Sequence, residues 1–129
     1  MTWPPDFPPG CPAGSYKHSG PYYRFQTRGN LDNKKNHQRP VDYKTFVPPD
    51  EPSCGHFGLS GYLSEPDLEA ARQSEVMQRV KGVSEWRVMI YDLTPEDGEI
   101  EHTPDSEVSL EHYDLWLYDG VDISRRVRR

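Results

Sequence analysis

The chain has 129 residues, a length that suits one domain with a modest core. Hydrophobic residues make up only 33% of it, the mean hydropathy is −0.92, and no apolar run approaches the roughly 20 residues that cross a bilayer, so a membrane partner is not expected. The formal net charge of −6 and a sequence pI near 5.3 also argue against nucleic acid as the partner. Eight Tyr, four Phe and three Trp are available to supply much of the buried surface.

The N-terminal segment is rich in proline. Residues 1–15 hold five Pro and two Gly, which predicts an extended arm in front of a single domain spanning residues 16–129. The segment has neither the basic nor the apolar region of a signal peptide, so a cytoplasmic location is the default expectation. Cys11 and Cys54 are then expected to be thiols, with an extracellular disulfide between them as the alternative.

Aromatic and β-branched residues mark the predicted strands. Trp86–Leu93 is the clearest, and its nearly continuous apolar run favours a central position in a sheet. A long polar loop is expected over Arg28–Pro40, and Val41–Val47 fits either a short strand or a loop. Val121–Val127 fits a final short helix or strand. The other predicted strands are Tyr22–Gln26, His56–Tyr62, Glu99–Thr103 and Tyr113–Tyr118.

One major helix is predicted over Glu65–Lys81. Ser64 is placed to cap its first turn, with Asp67 as an acidic variant of the capping box. Leu63 and Leu68 occupy the positions of a hydrophobic staple, and Gly82 is placed to end the helix. The helical period buries Leu68, Ala71, Val76 and Val80 and turns Arg72, Gln73 and Arg79 outward. The predicted fold class is therefore α+β, a twisted, mainly antiparallel (mixed) sheet with one major helix and a Pro-rich N-terminal arm.

Three positions together suggest chemistry on a nicotinamide dinucleotide. Arg24, in the middle of the first strand, offers a guanidinium fork for phosphate or ribose. Ser60, near the end of the next strand, is placed to order the ribose. Glu107 or Glu111, ahead of the last strand, is the candidate carboxylate for the positive charge that develops at the anomeric carbon. Tyr22, Tyr23 and Tyr62 are candidates to stack on the nicotinamide ring.

The same order of segments resembles a known family. A strand with Arg24, then GLSGYLSEPDLEAAR, WRVMIYDL and HYDLWLYDG, is similar to small bacterial ADP-ribosyltransferase-like domains over roughly Tyr22–Val127. The resemblance implies NAD as substrate, bound by Arg24, with Ser60 and a C-terminal glutamate as catalytic residues. Leu59-Ser60-Gly61 stands where that family has Ser-Thr-Ser, and residues 107–111 replace its closing Glu-x-Glu, so a degenerate site is one form of this prediction.

Two other site types receive less support. Cys11, His18, Cys54 and His56 include ligand types for zinc, but they do not form two tight ligand pairs, so no metal is expected. The basic, aromatic stretch Tyr16–Lys44 has the composition of a single-strand nucleic-acid binder, but without the signature of any nucleic-acid fold it is expected to be a solvated loop.

Charge is distributed unevenly along the chain. Residues 1–64 carry a net +2 and residues 65–129 a net −8. Thr94–Asp119 holds nine Asp or Glu and no Lys or Arg, whereas Tyr16–Lys44 holds seven Lys or Arg. These segments are either solvated faces that attract each other across the fold, or separate surfaces for partners. The second possibility gives the alternative function, a small acidic binding or inhibitor protein of the immunity, antitoxin or anti-defence type, whose C-terminal half engages a basic partner.

Overall fold

In the computed structural model, which describes all 129 residues, six strands form two antiparallel sheets. The strands are β1 (Tyr16–Lys17), β2 (Gly20–Gln26), β3 (Leu59–Gly61), β4 (Arg87–Leu93), β5 (Gly98–His102) and β6 (Tyr113–Leu117). The helices are α1 (Glu65–Arg72) and α2 (Glu75–Gln78), and short 3-10 turns lie at Lys34–His37, Pro40–Asp42, Cys54–Phe57, Val83–Glu85 and Ile123–Arg126. The predicted α+β class is confirmed. No helix of the structure has the combination of length and apolarity that crossing a membrane requires.

The strands divide into a larger and a smaller sheet. The larger sheet has the order β1-β5-β6-β3, and the smaller one consists of β2 and β4 paired along their whole length. An isolated bridge between Tyr23 and Tyr62, with N···O distances of 2.8 and 2.9 Å, connects the two sheets. The prediction that residues 86–93 lie centrally in a larger sheet is wrong. The C-terminal segment covers the free edge of β4, since the Arg128 amide donates to the Ile90 carbonyl at 2.7 Å.

The main core contains side chains from both sheets and from the C-terminal segment. Its buried members are Tyr22, Leu59, Met89, Tyr91, Leu93, Ile100, Leu115, Ile123 and Val127. Gly61 is required where β3 passes under the aromatic ring of Tyr22, because a Cβ on Gly61 would lie 2.4 Å from that ring. Alternation along β3, β5 and β6 places the remaining side chains of these strands on the opposite, outer face of the larger sheet.

The predicted helix begins as expected but is interrupted and ends early. The Ser64 hydroxyl accepts from the Asp67 amide at 3.2 Å, whereas the last helical residue is Gln78, four positions before Gly82, which has a φ of +84°. Between these points α1 stops at Arg72, and Ser74 starts α2 by accepting from the Met77 amide at 3.2 Å. A continuous helix over residues 65–81 was therefore a wrong prediction, since a serine that caps its own N-terminus competes with helix continuation.

Two burial predictions for this region are also wrong. Arg72 was expected to face outward, but it is buried, with its guanidinium 5.0 Å from the centre of the Phe25 ring and paired with Glu69 at 2.8 Å. Val80 was expected in the core, but it is exposed beyond the end of α2. The break after Arg72 explains both, because it changes the direction of the chain and ends the helical period.

The N-terminal arm packs against the domain. Trp3 lies 4.8 Å from the ring of Tyr118, and Phe7 lies 5.7 Å from the ring of Phe57. At its C-terminal end the arm crosses the outer face of the larger sheet, where the Gly14 amide donates to Glu101 at 3.1 Å. Residues 41–47 form no strand, which leaves the loop alternative for that segment.

Candidate functional site

Arg24 binds three groups of its own chain. From the half-buried middle of β2, its Nε donates to the Ser60 carbonyl at 2.7 Å and its Nη1 donates to the Asn36 carbonyl at 3.0 Å. The same Nη1 lies 3.4 Å from the hydroxyl of Tyr91. These bonds tie β2 to β3 and to the loop that precedes Pro40. The guanidinium thus stabilises the fold, and its contact with Ser60 is to the main-chain carbonyl and not to the hydroxyl predicted for the site.

The Arg24 network continues to His37, a residue that the sequence did not single out. The hydroxyl of Tyr91 lies 2.6 Å from His37 Nδ1, and His37 Nε2 lies 2.8 Å from the Leu31 carbonyl. Because a carbonyl can only accept, the proton of the imidazole is assigned to Nε2, and Tyr91 donates to Nδ1. Burial lowers the pKa of His37, which favours this neutral form. Both ring nitrogens of His37 and the hydroxyl of Tyr91 therefore have partners within the fold.

The remaining predicted residues do not converge on Arg24. The Ser60 side chain is exposed and lies at the register position opposite Asp114 on the outer face of the sheet. Glu107 and Glu111 lie in the exposed loop between β5 and β6, where their amides are bound locally by Asp105 Oδ1 at 2.9 Å and by the Ser109 hydroxyl at 3.0 Å. Neither carboxylate forms a hydrogen bond or ion pair with Arg24 or Ser60.

The three tyrosines predicted to stack on a ligand have structural partners. Tyr22 is fully buried, and its hydroxyl donates to the Leu59 carbonyl at 2.6 Å. Tyr62 is also buried, and the half-buried Tyr23 pairs with it through the main chain. Burial raises the pKa of Tyr62 to about 12. None of the seven predicted site residues lines either of the two principal cavities.

Sequence reasoning missed a buried carboxylate on the outer face of the larger sheet. Asp114 lies between Ser60 and Glu101 in the strand register and is 7% exposed. Burial raises the pKa of its carboxyl, against the opposite effects of His112, Thr103 and Arg24. The signal was in the segment YDLWLY, where strand alternation places Asp114 on the same face as Trp116 rather than facing solvent.

A cavity of about 300 Å³ lies above Asp114, and the arm forms one of its walls. Its lining includes Glu101, Trp116 and both cysteines, which are joined as a disulfide. The expectation of free thiols at Cys11 and Cys54 is therefore wrong, and the disulfide alternative holds. This bond removes both sulfurs from the candidate zinc set, and no group of three or more His, Cys, Asp or Glu side chains is placed to hold a metal ion.

The larger cavity, of about 670 Å³, lies between the arm, the Lys34–Asp42 region and the C-terminal end of β6. Phe57, Leu115 and Leu117 contribute apolar walls. Lys34 and Arg39 both line it, and Arg39 is already paired, because it binds Asp6 and Asp42 at 2.9 Å each. These two ion pairs fix the arm to the loop and neutralise the guanidinium.

Most carboxylates of the acidic segment Thr94–Asp119 form no ion pair. Of its nine carboxylates only Asp97 forms an ion pair, with Arg126 at 3.0 Å. None of the eight ion pairs of the chain joins this segment to the basic stretch Tyr16–Lys44. The two segments therefore do not neutralise each other through direct ion pairs.

The β5–β6 loop and the start of α1 together form a surface rich in unpaired carboxylates. Val108 of the loop packs against the cluster of Tyr62, Leu68 and Ala71, which places the loop beside the helix. We call the five carboxylates of this region the acidic surface: Glu65, Asp67, Asp105, Glu107 and Glu111. None of the five belongs to an ion pair.

Comparison of the chain with protein-family models, with curated proteins and with solved structures gave no match.

Proposed function

We propose that this protein is a non-enzymatic binding protein that engages a basic partner through the acidic surface. The observation that carries the proposal is the absence of ion pairs at all five of its carboxylates, in a chain whose other half is net positive. Exposed like charges repel one another, and a cationic partner relieves that repulsion while its approach is accelerated by attraction. An inhibitor of the immunity, antitoxin or anti-defence type, which covers a basic active site, is the kind of protein that uses such a surface.

A charge-matched pair of variants tests this proposal. Glu65→Gln/Glu107→Gln/Glu111→Gln removes three charges from the acidic surface. Asp50→Asn/Glu51→Gln/Glu85→Gln removes three from exposed, unpaired carboxylates elsewhere. We expect a labelled oligolysine peptide to bind the unmodified chain at low salt and to dissociate at high salt. The first variant should bind the peptide roughly tenfold more weakly, because each exposed ion pair that is lost contributes under about 1 kcal/mol to the binding free energy. The second variant should bind the peptide nearly as tightly as the unmodified chain does.

The control variant also defines failure. If both triple variants weaken binding equally, then net charge rather than the acidic surface attracts the peptide, and the proposal is wrong. If the unmodified chain does not bind the peptide at low salt, the proposal is wrong as well.

A second proposal, NAD cleavage or ADP-ribosyl transfer, is favoured by one contact. Arg24 Nε donates to the main-chain carbonyl of Ser60 at 2.7 Å, so the Arg24 side chain is adjacent to the backbone of a second residue predicted for NAD handling, while the Ser60 hydroxyl lies on the outer face of the sheet. Nicotinamide release from NAD by the purified chain tests it. Ser60→Ala and Glu111→Gln are suitable variants, because both side chains are exposed and their loss should not unfold the protein. Release that either change abolishes would support NAD as substrate, whereas no release from the unmodified chain would count against it.

The cellular compartment of the protein is a further part of the proposed function. A cytoplasmic location remains a prediction, and the Cys11–Cys54 disulfide weighs against it, since such bonds persist mainly in oxidising compartments. Acid quenching of cells followed by thiol-specific mass tagging measures the state of both cysteines. Two tagged cysteines would support a reducing compartment, and none would support an oxidising one.

A further inference from the structure

Three exposed side chains and one half-buried ring form an aromatic and aliphatic patch beside the acidic surface. Tyr16 is 49% exposed and Leu110 is 65% exposed, values that are high for large hydrophobic residues. The ring of His102 lies 5.1 Å from that of Tyr113, and His102 Nε2 lies 2.5 Å from the Leu110 carbonyl. We call Tyr16, His102, Leu110 and Tyr113 the aromatic patch. Its parts come from β1, β5, β6 and the β5–β6 loop, so the sheet holds them in place.

Carboxylates of the acidic surface lie within electrostatic reach of this patch. Desolvation is the main cause that raises the pKa of Tyr113, followed by Tyr16 and then by Glu111 and Asp67. Glu111 directly follows Leu110 of the patch and precedes Tyr113 by two residues, and Asp67 lies in the first turn of α1. Neither carboxylate has a cation of its own.

We infer that the aromatic patch is the docking position for an arginine side chain of the basic partner, a conclusion that rests on the proposed function. An exposed ring with carboxylates at its edge suits a planar cation that stacks on the ring and bonds to the carboxylates at its rim. The guanidinium of arginine does both, whereas the ammonium of lysine is compact, strongly hydrated and less suited to stacking. The same carboxylates repel phosphates, so a protein segment rich in arginine, and not a nucleic acid, is the occupant.

Two peptides of equal length and charge separate this inference from the proposed function. We expect an oligoarginine peptide to bind the full chain roughly two- to fivefold more tightly than oligolysine, the range for an exposed cation–aromatic contact. Tyr16→Ser/Leu110→Ser should abolish the arginine preference. Tyr43→Ser/Val47→Ser is the matched control, since it also removes one tyrosine and one aliphatic side chain from exposed positions, here in the loop before Cys54, and it should keep the preference. Tyr16→Phe, which retains the ring, should keep the preference too.

The outcomes are distinct. A preference for arginine that only the Tyr16→Ser/Leu110→Ser variant loses, with an unchanged unfolding temperature, supports the inference. Equal binding of both peptides, or a preference that the control variant loses equally, overturns the inference and leaves the proposed function in place. If neither peptide binds at low salt, both are overturned.

Discussion

The disulfide between Cys11 and Cys54 is the one covalent cross-link, apart from the main chain, between the N-terminal arm and the rest of the domain. It joins residues separated by 43 positions, and it encloses β1, β2 and the long polar loop. We predict that Cys11→Ala/Cys54→Ala will lower the free energy of unfolding by about 4 kcal/mol, the loop-closure value for a chain of that length. This is a quarter or more of the roughly 5–15 kcal/mol that stabilises an ordinary domain.

Non-covalent contacts at both ends of the arm bear on this magnitude. The Arg39–Asp6 pair at 2.9 Å and the packing of Trp3 on Tyr118 hold the arm before Cys11, and the Gly14–Glu101 bond at 3.1 Å holds it afterwards. Because these contacts do not need the disulfide, the native state of the variant should keep its arm in place. The loss of stability should therefore arise from the greater freedom of the unfolded chain.

Equilibrium urea unfolding of the oxidised protein and of the double variant measures the effect. The slope of free energy against urea should be similar or slightly larger for the variant, whose unfolded state exposes more surface. Treatment of the unmodified protein with a reductant should reproduce the stability of the variant. A difference under about 1 kcal/mol would refute the reasoning, since the disulfide would then barely restrict the unfolded chain.

Three smaller perturbations test other parts of the fold. Tyr22→Phe removes a fully buried hydroxyl that donates to the Leu59 carbonyl, and it should lower the free energy of unfolding by about 1–3 kcal/mol, while Tyr43→Phe, at an exposed ring, should leave it unchanged. Gly61→Ala places a Cβ 2.4 Å from the buried ring of Tyr22 and should reduce the thermal midpoint by several degrees or prevent folding; an unchanged midpoint would show that the ring moves freely. His37, whose pKa is lowered in the folded state, should take up its proton more readily when the chain is unfolded, so stability should fall as the pH decreases through about 6.5, and urea titrations at pH 7.5 and 5.5 should show a smaller fall for His37→Gln.

Local signals in the sequence were sufficient where the structure depends on neighbouring residues. Ser64 predicted the start of α1 because its hydroxyl accepts from an amide only three residues away. Gly82 has the positive φ that its residue type suggests, but α2 has already ended at Gln78, so the predicted helix end was too late. Ser74 carried the same capping signal and was overlooked, since the apolar period appeared to continue through it. The interruption of the helix was therefore predictable from the sequence.

The arrangement of the strands was less accessible, because strand order depends on contacts between distant residues. The apolar run over residues 86–93 was interpreted as a central strand. In the fold the same character arises because β2 pairs with one edge of β4 and the C-terminal residue Arg128 contacts the other. An apolar strand sequence indicates that both faces of the strand are buried. It does not distinguish a strand flanked by two other strands from one that is flanked by a single strand and a covering terminal segment.

The pairing of charges was also not predictable from the sequence, because ion pairs form between distant residues. The sequence established that Thr94–Asp119 has nine carboxylates and no cation of its own, and it left open whether the basic stretch Tyr16–Lys44 neutralises them. In the structure Arg24 of that stretch donates to the Ser60 carbonyl, and Arg39 pairs with Asp6 of the N-terminal arm. The C-terminal Arg126, Arg128 and Arg129 pair with Asp97, Asp92 and Asp32. These five arginines hold loops and termini to the sheets, and only Arg126 among them pairs with a carboxylate of the acidic segment. The carboxylates of the β5–β6 loop form no ion pairs, so they repel one another. A partner that brings cations to this loop would relieve the repulsion, which favours binding.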